Sequence, residues 1–289
     1  MVAYRWPPTQ SQWPGPWGAR PRHRPPATCR LLAVKIKGSY GIDAPYVPIT
    51  SGVIGLALVL VAALGARGPW FWVCLIIGLV WLTQASWYLN TTRRGKFTIW
   101  ARVLKQLQLV GDERVLDVGC GRGMVLIQAA LLLPDGQAVG IDLWRSHDQS
   151  GNDPEATTTN AVANDVGDRI ELRTGDMCEL PFADDSFDAV VSSLAIHNVK
   201  DRERRRRAVA EIYRVTKPGG RIRIVDIANT STYRDVLAER GAEHLVLRRL
   251  GPLGWFGNPM WGSTLVAAHK PIRPAQPPAG SLGDAAAPQ

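Results

Sequence analysis

The stretch "VLDVGCGRG", from Val115 to Gly123, is the feature that most restricts what this chain can fold into. A short apolar run with one acid inside it is followed by glycines at alternate positions, 119, 121 and 123. Such a run is typical of a buried strand, and glycines directly after it predict a tight turn. The stretch therefore predicts the first strand-to-helix turn of an open α/β sheet, where a ligand approaches the backbone closely.

Runs of β-type residues alternate with helical patterns between residues 95 and 270. This alternation predicts a parallel sheet covered by helices on both faces. The last two runs, "HLVLRRL" and "STLVAAHK", have no helix between them, so they predict a hairpin. The five runs that precede this hairpin are Val115–Val118, Ala138–Ile141, Ile170–Arg173, Ala189–Ser193 and Arg221–Ile227.

The order of acids and glycines argues against a dinucleotide as the ligand of this turn. A dinucleotide fingerprint reads G-x-G-x-x-G, whereas these glycines are spaced G-x-G-x-G after Asp117. A carboxylate there would repel a pyrophosphate, but it suits a ligand with an ammonium and a sulfonium group. Asp142 ends the next strand in "VGIDLW", where a carboxylate can accept both ribose hydroxyls. "GDMCELPF" follows the third strand and places Asp176 and Met177 beside an adenine.

On these motifs the chain resembles class I S-adenosylmethionine-dependent methyltransferases, and most closely the type 11 group, which includes the methyltransferases of ubiquinone and menaquinone synthesis. The resemblance covers roughly residues 95–270. It implies an enzyme with a Rossmann-like sheet of seven strands, an antiparallel last pair, and S-adenosyl-L-methionine as the cofactor. The stretches that carry it are "VLDVGCGRG", "GIDLW", "TGDMCELPFADDSFDAVVSSLAIHNV" and "RVTKPGGRIRIVDI".

The resemblance also implies where the cofactor would bind. The methionine part is expected over the glycine turn, the ribose on Asp142 and the adenine near Leu143. No metal is expected, because the four cysteines lie far apart and form no C-x-x-C pair. The expected cofactor-binding residues are Asp117, Gly119, Cys120, Gly121, Gly123, Asp142, Leu143, Asp176, Met177 and Ser193.

His197 is the candidate catalytic residue. It follows the fourth strand in "SSLAIHNV", at the edge where the transferring methyl should project. A neutral imidazole can accept a proton near physiological pH, so His197 is interpreted as a general base. A histidine that only supports the loop is the alternative, because alignment of nucleophile, methyl and sulfur can be sufficient for transfer.

Two apolar runs without any charged residue precede this domain, at residues 47–66 and 68–89. Each is long enough to cross a hydrocarbon core as a helix. Seven Lys and Arg precede the first run and three closely follow the second, so the positive-inside bias places both flanks in the cytoplasm. The runs therefore predict a transmembrane hairpin with a cytoplasmic catalytic domain. A hairpin buried in a soluble core is the alternative.

The basic character of the chain belongs mainly to its N-terminal part. Residues 1–45 carry seven Lys and Arg against one acid, whereas residues 91–289 carry 26 bases and 24 acids, so a nucleic-acid partner is not expected. The residues before "VKIKGSYGIDAPYVP" have a composition that resembles translated GC-rich DNA. We therefore expect the coherent protein to begin near this stretch. The predicted regions are a disordered Pro-rich segment (1–45), the hairpin (46–90), the methyltransferase domain (91–270) and a disordered tail (271–289).

These motifs do not identify the methyl acceptor. A tethered domain gains most from an acceptor held in or near the membrane, so we expect a hydrophobic or lipid-like one such as a quinone precursor. The four large apolar side chains of "GPLGWFGNPMWG", residues 251–262, either pack inward, line the acceptor pocket or touch the bilayer. A soluble acceptor, or S-adenosylmethionine binding without turnover, are the alternatives. Arsenite would need several thiolates, and only Cys120 and Cys178 lie close to the site in sequence.

Overall fold

The computed structural model describes residues 36–145 and 150–272. The disorder predicted for residues 1–35 and 273–289 lies outside this part of the chain. Within it, seven strands form one sheet, and the hairpin predicted for the last two strands is present. The strands are β1 (Arg114–Val118), β2 (Gln137–Asp142), β3 (Ile170–Thr174), β4 (Phe187–Ser193), β5 (Thr216–Asp226), β6 (Glu243–Arg249) and β7 (Thr264–His269).

The strand order is β3-β2-β1-β4-β5-β7-β6. The strands β1 to β5 run parallel, whereas β7 lies antiparallel between β5 and β6. The chain moves outward from β1 in both directions, through β2 on one side and β4 on the other. In an open α/β sheet this reversal leaves a crevice at the carboxyl ends of the strands, where ligands bind. The prediction of a Rossmann-like α/β fold is confirmed.

Helices cover both faces of the sheet because successive strand residues point to opposite sides. Val115 and Val191 face the cluster that contains α3 and α4, whereas Leu116 and Val190 face α6 and α7. The helices are α1 (Tyr46–Leu64), α2 (Pro69–Asn90), α3 (Lys96–Gln106), α4 (Met124–Ala130), α5 (Pro154–Ala163), α6 (Arg202–Val215) and α7 (Thr230–Glu239).

The helices α1 and α2 pack against each other through small residues. A Cβ added to Gly55 would lie 2.9 Å from the Gly78 carbonyl oxygen, and one added to Gly78 would lie 2.9 Å from the Gly55 oxygen. Such close backbone approach is typical of helix pairs in membranes. Both helices are long and apolar enough to cross a membrane, and most of their large apolar side chains are exposed. This exposure does not fit a hairpin buried in a soluble core.

A π-helical turn, Thr91–Gly95, joins α2 to α3 without a break. The turn lies directly against the β6–β7 loop, since a Cβ added to Gly95 would approach the Leu253 carbonyl oxygen to 2.1 Å. The helix then continues into the core of the sheet domain, where Trp100 is 1% exposed. The apolar hairpin and the sheet domain therefore share one continuous helix.

Residues 36–45 do not follow the prediction of a disordered segment. Ile36 and Tyr40 are buried in the core that α3 and α4 share. The Asn160 side chain, on α5, accepts a hydrogen bond from the Ser39 N–H and donates one to the Ser39 carbonyl, each at 2.9 Å. Residues 36–43 therefore form a packed N-terminal strap. It has no sequence periodicity because side-chain amides, not a strand ladder, hold its backbone.

Replacing Asn160 by Ala should destabilise the protein by roughly 1–3 kcal/mol, because the Ser39 N–H and carbonyl would lose their partner. Denaturant unfolding of the full chain in detergent measures the change. Thr158→Ala, on the exposed face of the same helix, is the matched control and should change the free energy of unfolding by less than about 0.5 kcal/mol. Equal stability of the two variants would mean that the Asn160 hydrogen bonds to the strap do not stabilise the fold.

Candidate functional site

The predicted glycine turn follows β1 and leads into α4. Gly119, Gly121 and Gly123 have φ angles of 73°, 51° and 81°, a region that residues with a Cβ rarely adopt. A Cβ on Gly119 would lie 2.2 Å from the Cβ of Ala195, and one on Gly123 would lie 2.7 Å from Thr157 Cγ2. The turn needs glycine for both conformation and space, so it presents bare backbone at the carboxyl end of β1.

Asp117 is a buried carboxyl group in β1. It is 1% exposed, and no cationic side chain pairs with its oxygens in the described part of the chain. Burial raises the pKa of Asp117 to about 8, against the opposing effect of the Leu126 backbone N–H and with a smaller contribution from the Asp142 carboxyl. Buried polar groups are nearly always paired in native proteins. A cationic ligand group beside the turn would complete the pairing, and the ammonium group of S-adenosylmethionine fits this requirement.

Asp142, at the end of β2, holds the glycine turn in place. Its Oδ2 accepts a hydrogen bond from the Gly121 N–H at 2.9 Å, and its Oδ1 accepts one from the Trp144 N–H at 2.7 Å. The Asn152 side-chain amide donates a second hydrogen bond to Oδ1 at 3.3 Å, so the lone pair that remains for a ligand hydroxyl is on Oδ2. Leu143 beside it is 38% exposed. Asp142 therefore organises the turn, and its Oδ2 can still accept a hydrogen bond from a ribose hydroxyl.

The third motif lies against the glycine turn. Met177 Cε would be 3.6 Å from a Cβ added to Gly119. Asp176 accepts a hydrogen bond from the Cys178 N–H at 2.9 Å and forms an ion pair with Arg204. Burial alone would raise the pKa of Asp176, but these two contacts outweigh it and lower the pKa. Both Asp176 oxygens already have protein partners, so an adenine would share the carboxylate with them.

Cys120 lies in the turn as a small buried residue. Burial, followed by the nearby carboxyl groups of Asp117 and Asp142, raises the pKa of its thiol well above the ordinary value. Its Sγ fills the space beside Gly140, where an added Cβ would approach it to 2.8 Å. A thiol with a raised pKa is a poor nucleophile. Cys120 would therefore contact a ligand through its backbone and not through its thiol.

The sequence analysis missed Asp226, the partner of His197. His197 Nδ1 lies 2.5 Å from Asp226 Oδ1, and the His197 backbone N–H donates to Asp226 Oδ2 at 3.1 Å. The Tyr233 hydroxyl donates to the same Oδ2 at 3.2 Å. Because the Asp226 carboxylate accepts a hydrogen bond from Nδ1–H, the neutral imidazole has its lone pair on Nε2. The available signal was an acid at the carboxyl end of the buried strand in "RIRIVDI".

A cavity of about 10 Å³, room for about one water molecule, lies at the carboxyl ends of β4 and β5, on the sheet face that α3 covers. Ser193 is in its wall, and its Oγ accepts a hydrogen bond from the Trp100 Nε1–H at 2.8 Å. His197 does not line this cavity, since Asp226 and Tyr233 hold its ring on the α6 and α7 side. The structure therefore separates the candidate base from the cavity. Other wall residues are Thr91, Lys96, Ile99, Leu194, Val225 and Phe256.

The apolar β6–β7 loop, residues 251–262, closes this cavity and is divided between buried and exposed side chains. Phe256 is buried, and Trp255 stacks on Trp87 of α2 with the ring centroids 5.6 Å apart. Met260 and Trp261 remain 83% and 51% exposed. The first half of the loop, with Trp255 and Phe256, thus packs inward. The second half, with Met260 and Trp261, presents an apolar surface to the outside.

Comparison with known proteins identifies the chemistry of the domain. Residues 116–224 match the family model described as a methyltransferase domain. The demethylmenaquinone methyltransferase of Symbiobacterium thermophilum is 36% identical over 129 residues, which cover 44% of this chain and 48% of that protein. The ubiquinone/menaquinone biosynthesis C-methyltransferase UbiE of Geotalea daltonii is 33% identical over 157 residues, 54% of this chain and 62% of that protein. The arsenite methyltransferase of Halobacterium salinarum is 32% identical over 126 residues, 43% of this chain and 29% of that protein.

The fold, the glycine turn and these matches define the class. The chain carries an S-adenosylmethionine-dependent methyltransferase domain, and the cofactor of that domain is S-adenosyl-L-methionine. The chain spans less than two-thirds of the length of each of these curated relatives. The structure gathers Asp117, the glycine turn, Asp142 and Met177 at one edge of the sheet, and it leaves Leu143 on the rim. That these residues contact the cofactor stays a prediction.

Cofactor binding at pH 6 should release close to one proton. The buried Asp117 carboxyl, with its pKa raised to about 8, is protonated at this pH, whereas a bound ammonium group would hold it ionised. The free α-amino group of the cofactor is already protonated at pH 6, so it does not contribute. Calorimetry in two buffers of different ionisation enthalpy measures the proton count.

Asp117→Asn should lower the affinity and abolish the proton release, and Asp112→Asn, in the exposed turn before β1, should change neither. A wild-type protein that binds the cofactor without releasing a proton would exclude Asp117 as the partner of the ammonium group.

Proposed function

We propose that this protein is a membrane-anchored methyltransferase that transfers a methyl group from S-adenosylmethionine to a hydrophobic, lipid-like acceptor such as a quinone precursor. The observation that carries the proposal is the position of the cavity at the ends of β4 and β5. Thr91 and Lys96 in its wall directly continue the apolar helix α2. An acceptor held in the bilayer beside α2 would therefore approach the ends of β4 and β5 at the membrane surface. The cavity there, about 10 Å³, would have to widen to admit its ring.

The composition of the hairpin and its ends supports membrane anchoring. The apolar side chains of α1 and α2 are exposed along most of their length, and Gly55 and Gly78 make the contact between the two helices. Arg93 and Arg94 are exposed in the π-helical turn at the domain end of α2. Basic residues at that end favour a cytoplasmic location of the domain. The exposed Trp261 lies on the loop that packs against this end, as an interfacial anchor would.

The arrangement of the first motifs suggests how the cofactor is held. We assign the methionine part to the backbone of residues 119–123, with Asp117 as the partner of its ammonium group. We assign the ribose to Asp142, and the adenine to the rim formed by Leu143, Asp176 and Met177, with Ser193 closing the site at the end of β4. The cofactor supplies an electrophilic methyl group on a sulfonium. The contribution of the protein is to align the acceptor with that methyl and to exclude water.

His197 is proposed as the base that accepts a proton from the acceptor. The Asp226 carboxylate fixes the ring orientation and the tautomer, and its negative charge would stabilise the imidazolium that forms. Tyr233 donates to the same carboxylate and keeps it oriented. The separation of His197 from the cavity wall leaves the alternative that this group only supports the loop. Replacement of the histidine distinguishes the two.

The cysteines of the chain argue against arsenite as the acceptor. In the described ranges Cys74, Cys120 and Cys178 are free. Cys120 and Cys178 are buried, and burial raises the pKa of both thiols. Arsenic(III) chemistry requires accessible thiolates, which these two do not provide. Of the acceptors named for the relatives, a quinone precursor therefore suits this chain better.

His197→Ala should lower kcat by roughly 10²–10⁴-fold, the usual contribution of a general base, with the cofactor dissociation constant unchanged. Asp226→Asn should lower kcat as well, because the imidazolium would lose its carboxylate partner. The assay uses full-length protein in lipid nanodiscs with methyl-labelled cofactor and reduced demethylmenaquinone. Asp235→Asn, exposed on α7, is the matched control. A His197→Ala enzyme with wild-type kcat would leave His197 a purely structural role.

Replacing Met260 and Trp261 together by Ala should raise KM for the long-tailed acceptor several-fold, because these exposed side chains would no longer contact the bilayer or the tail. Cofactor affinity, thermal stability and kcat for a tail-less headgroup should stay unchanged. Val162→Ala, an exposed apolar residue on α5, is the control. If the tailed and tail-less acceptors have the same KM in the wild-type enzyme, the acceptor is a soluble molecule. If no acceptor is methylated although the cofactor binds, the protein is a binding protein.

A further inference from the structure

We infer that the N-terminal strap, residues 36–43, positions the glycine turn through the Asn160 side chain, so that docking of the strap and binding of S-adenosylmethionine strengthen each other. This inference rests on the proposed function, since it assumes that the methionine part of the cofactor binds at the glycine turn. It goes further by giving the turn a support from outside residues 116–224, the segment that matches the methyltransferase family model.

Two side chains of α5 hold the glycine turn from behind. The Thr157 hydroxyl donates to the Gly121 carbonyl at 2.7 Å, and the Asn160 side-chain amide donates to the Arg122 carbonyl at 3.0 Å. Residues three apart in a helix lie on the same face, and both of these side chains are buried. They fix two successive carbonyls of the turn. A shift of either carbonyl would move the backbone that the cofactor is expected to meet.

Asn160 holds the strap with the same amide group. Its Nδ2 donates one hydrogen to the Ser39 carbonyl and the other to the Arg122 carbonyl, while its Oδ1 accepts from the Ser39 N–H. The Ser39 N–H can bond only to the amide oxygen, so the docked strap fixes the rotation of an amide whose last torsion is otherwise broad. This rotation directs the second N–H of Asn160 to the turn. Without the strap, the buried amide would lose two of its three bonds and the constraint on its orientation.

A second contact joins the strap to the loop that follows β2. The Ile42 N–H donates to Ser150 Oγ at 3.1 Å, and Arg122 Nη1 donates to the Ser150 carbonyl at 3.0 Å. A Cβ added to Gly41 would lie 2.7 Å from that carbonyl oxygen, so the strap backbone lies directly on this loop. The strap therefore also contacts the residue that holds the Arg122 guanidinium.

Both ends of the strap are held by other elements of the fold. The Asn164 side chain, just after α5, accepts from the Lys37 N–H at 2.8 Å and donates to the Lys37 carbonyl at 2.7 Å. At the other end the Asp43 carboxylate pairs with Lys96 of α3 at 2.9 Å, and the Asp43 carbonyl accepts from the Tyr88 hydroxyl of α2 at 2.8 Å. The strap thus links the domain end of the hairpin to the glycine turn.

A link of this kind acts in both directions. If the docked strap lowers the dissociation constant of the cofactor by some factor, the bound cofactor favours the docked strap by the same factor. A short segment held largely by side-chain amides opens locally at a lower free energy than the strands of the core. Docking of the strap is therefore an equilibrium that hydrogen exchange can follow.

Hydrogen exchange of the full-length protein in nanodiscs tests this reciprocity. Saturating S-adenosylmethionine should slow amide exchange in the strap by at least about threefold, as expected when one hydrogen bond is reinforced. The amides that docking protects are those of Lys37, Ser39 and Ile42. Exchange in β6, at the far edge of the sheet, controls for a general stabilisation of the fold and should slow less. A strap that exchanges at the same rate with and without the cofactor would overturn the inference.

A double-mutant cycle tests whether the strap acts through Asn160. Asn164→Ala removes bonds to the strap and none to the turn, and it should raise the cofactor dissociation constant roughly three- to tenfold in calorimetry. Asn160→Ala should raise it at least as much. Adding Asn164→Ala to Asn160→Ala should then have a smaller effect than Asn164→Ala alone, because the strap has lost its bond to the group that holds the turn.

Thr158→Ala, on the exposed face of α5, is the matched control and should leave cofactor affinity unchanged. Two results would overturn the inference: unchanged affinity in Asn164→Ala although its strap exchanges faster, or effects of the two substitutions that multiply fully. If Asn160→Ala does not fold, strap exchange in the wild-type protein and cofactor affinity in Asn164→Ala still decide.

The failure of this inference can be told from the failure of the proposed function. Weaker cofactor binding in Asp117→Asn with unchanged binding in Asn164→Ala would keep the proposed cofactor site and remove the inference. Cofactor-dependent protection of the strap without methylation of any lipid acceptor would keep the inference and remove the proposed acceptor.

Discussion

The close packing of the glycine turn is the constraint on which the rest of the site depends. Gly119 lies against Ala195, beyond the end of β4, and Gly123 lies against Thr157 of α5, with no room for a side chain at either contact. Asp142 fixes the turn from the end of β2 through the Gly121 N–H. The turn thus determines where the ends of three strands lie relative to one another, and with them every group that could touch cofactor or acceptor.

The strands and the glycine turn could be predicted because their signals are local. Apolar runs define most of β1 to β5, with Asp117 inside the first run and Asp142 at the end of the second. Asp226 occupies a similar position but acquires its importance only through contact with His197, 29 residues earlier. The strap was missed because the Asn160 amide, 121 residues away, replaces a periodic pattern. The cavity arises where α3 meets the β6–β7 loop, a packing that no single stretch encodes.

The hairpin and the domain depend on each other more than their sequences suggest. The apolar runs are separable from the methyltransferase motifs by composition, and the sequence predicts independent regions. In the structure Trp87 stacks on Trp255, and its indole N–H donates to the Pro252 carbonyl at 3.0 Å. The end of the apolar hairpin is therefore a supporting element of the loop that closes the cavity.

The unbroken helix from α2 through the π-helical turn into α3 has a geometric consequence. An α-helix rotates by about 100° per residue, so adding or removing one residue in α2 would turn the hairpin by that angle around the helix axis. The face that packs on α1 would then no longer match the face that meets the loop. An insertion or deletion of seven residues, close to two full turns, would keep the same face of α2 against α1. The length of α2 is thus restricted by the rotational register between α1 and the β6–β7 loop.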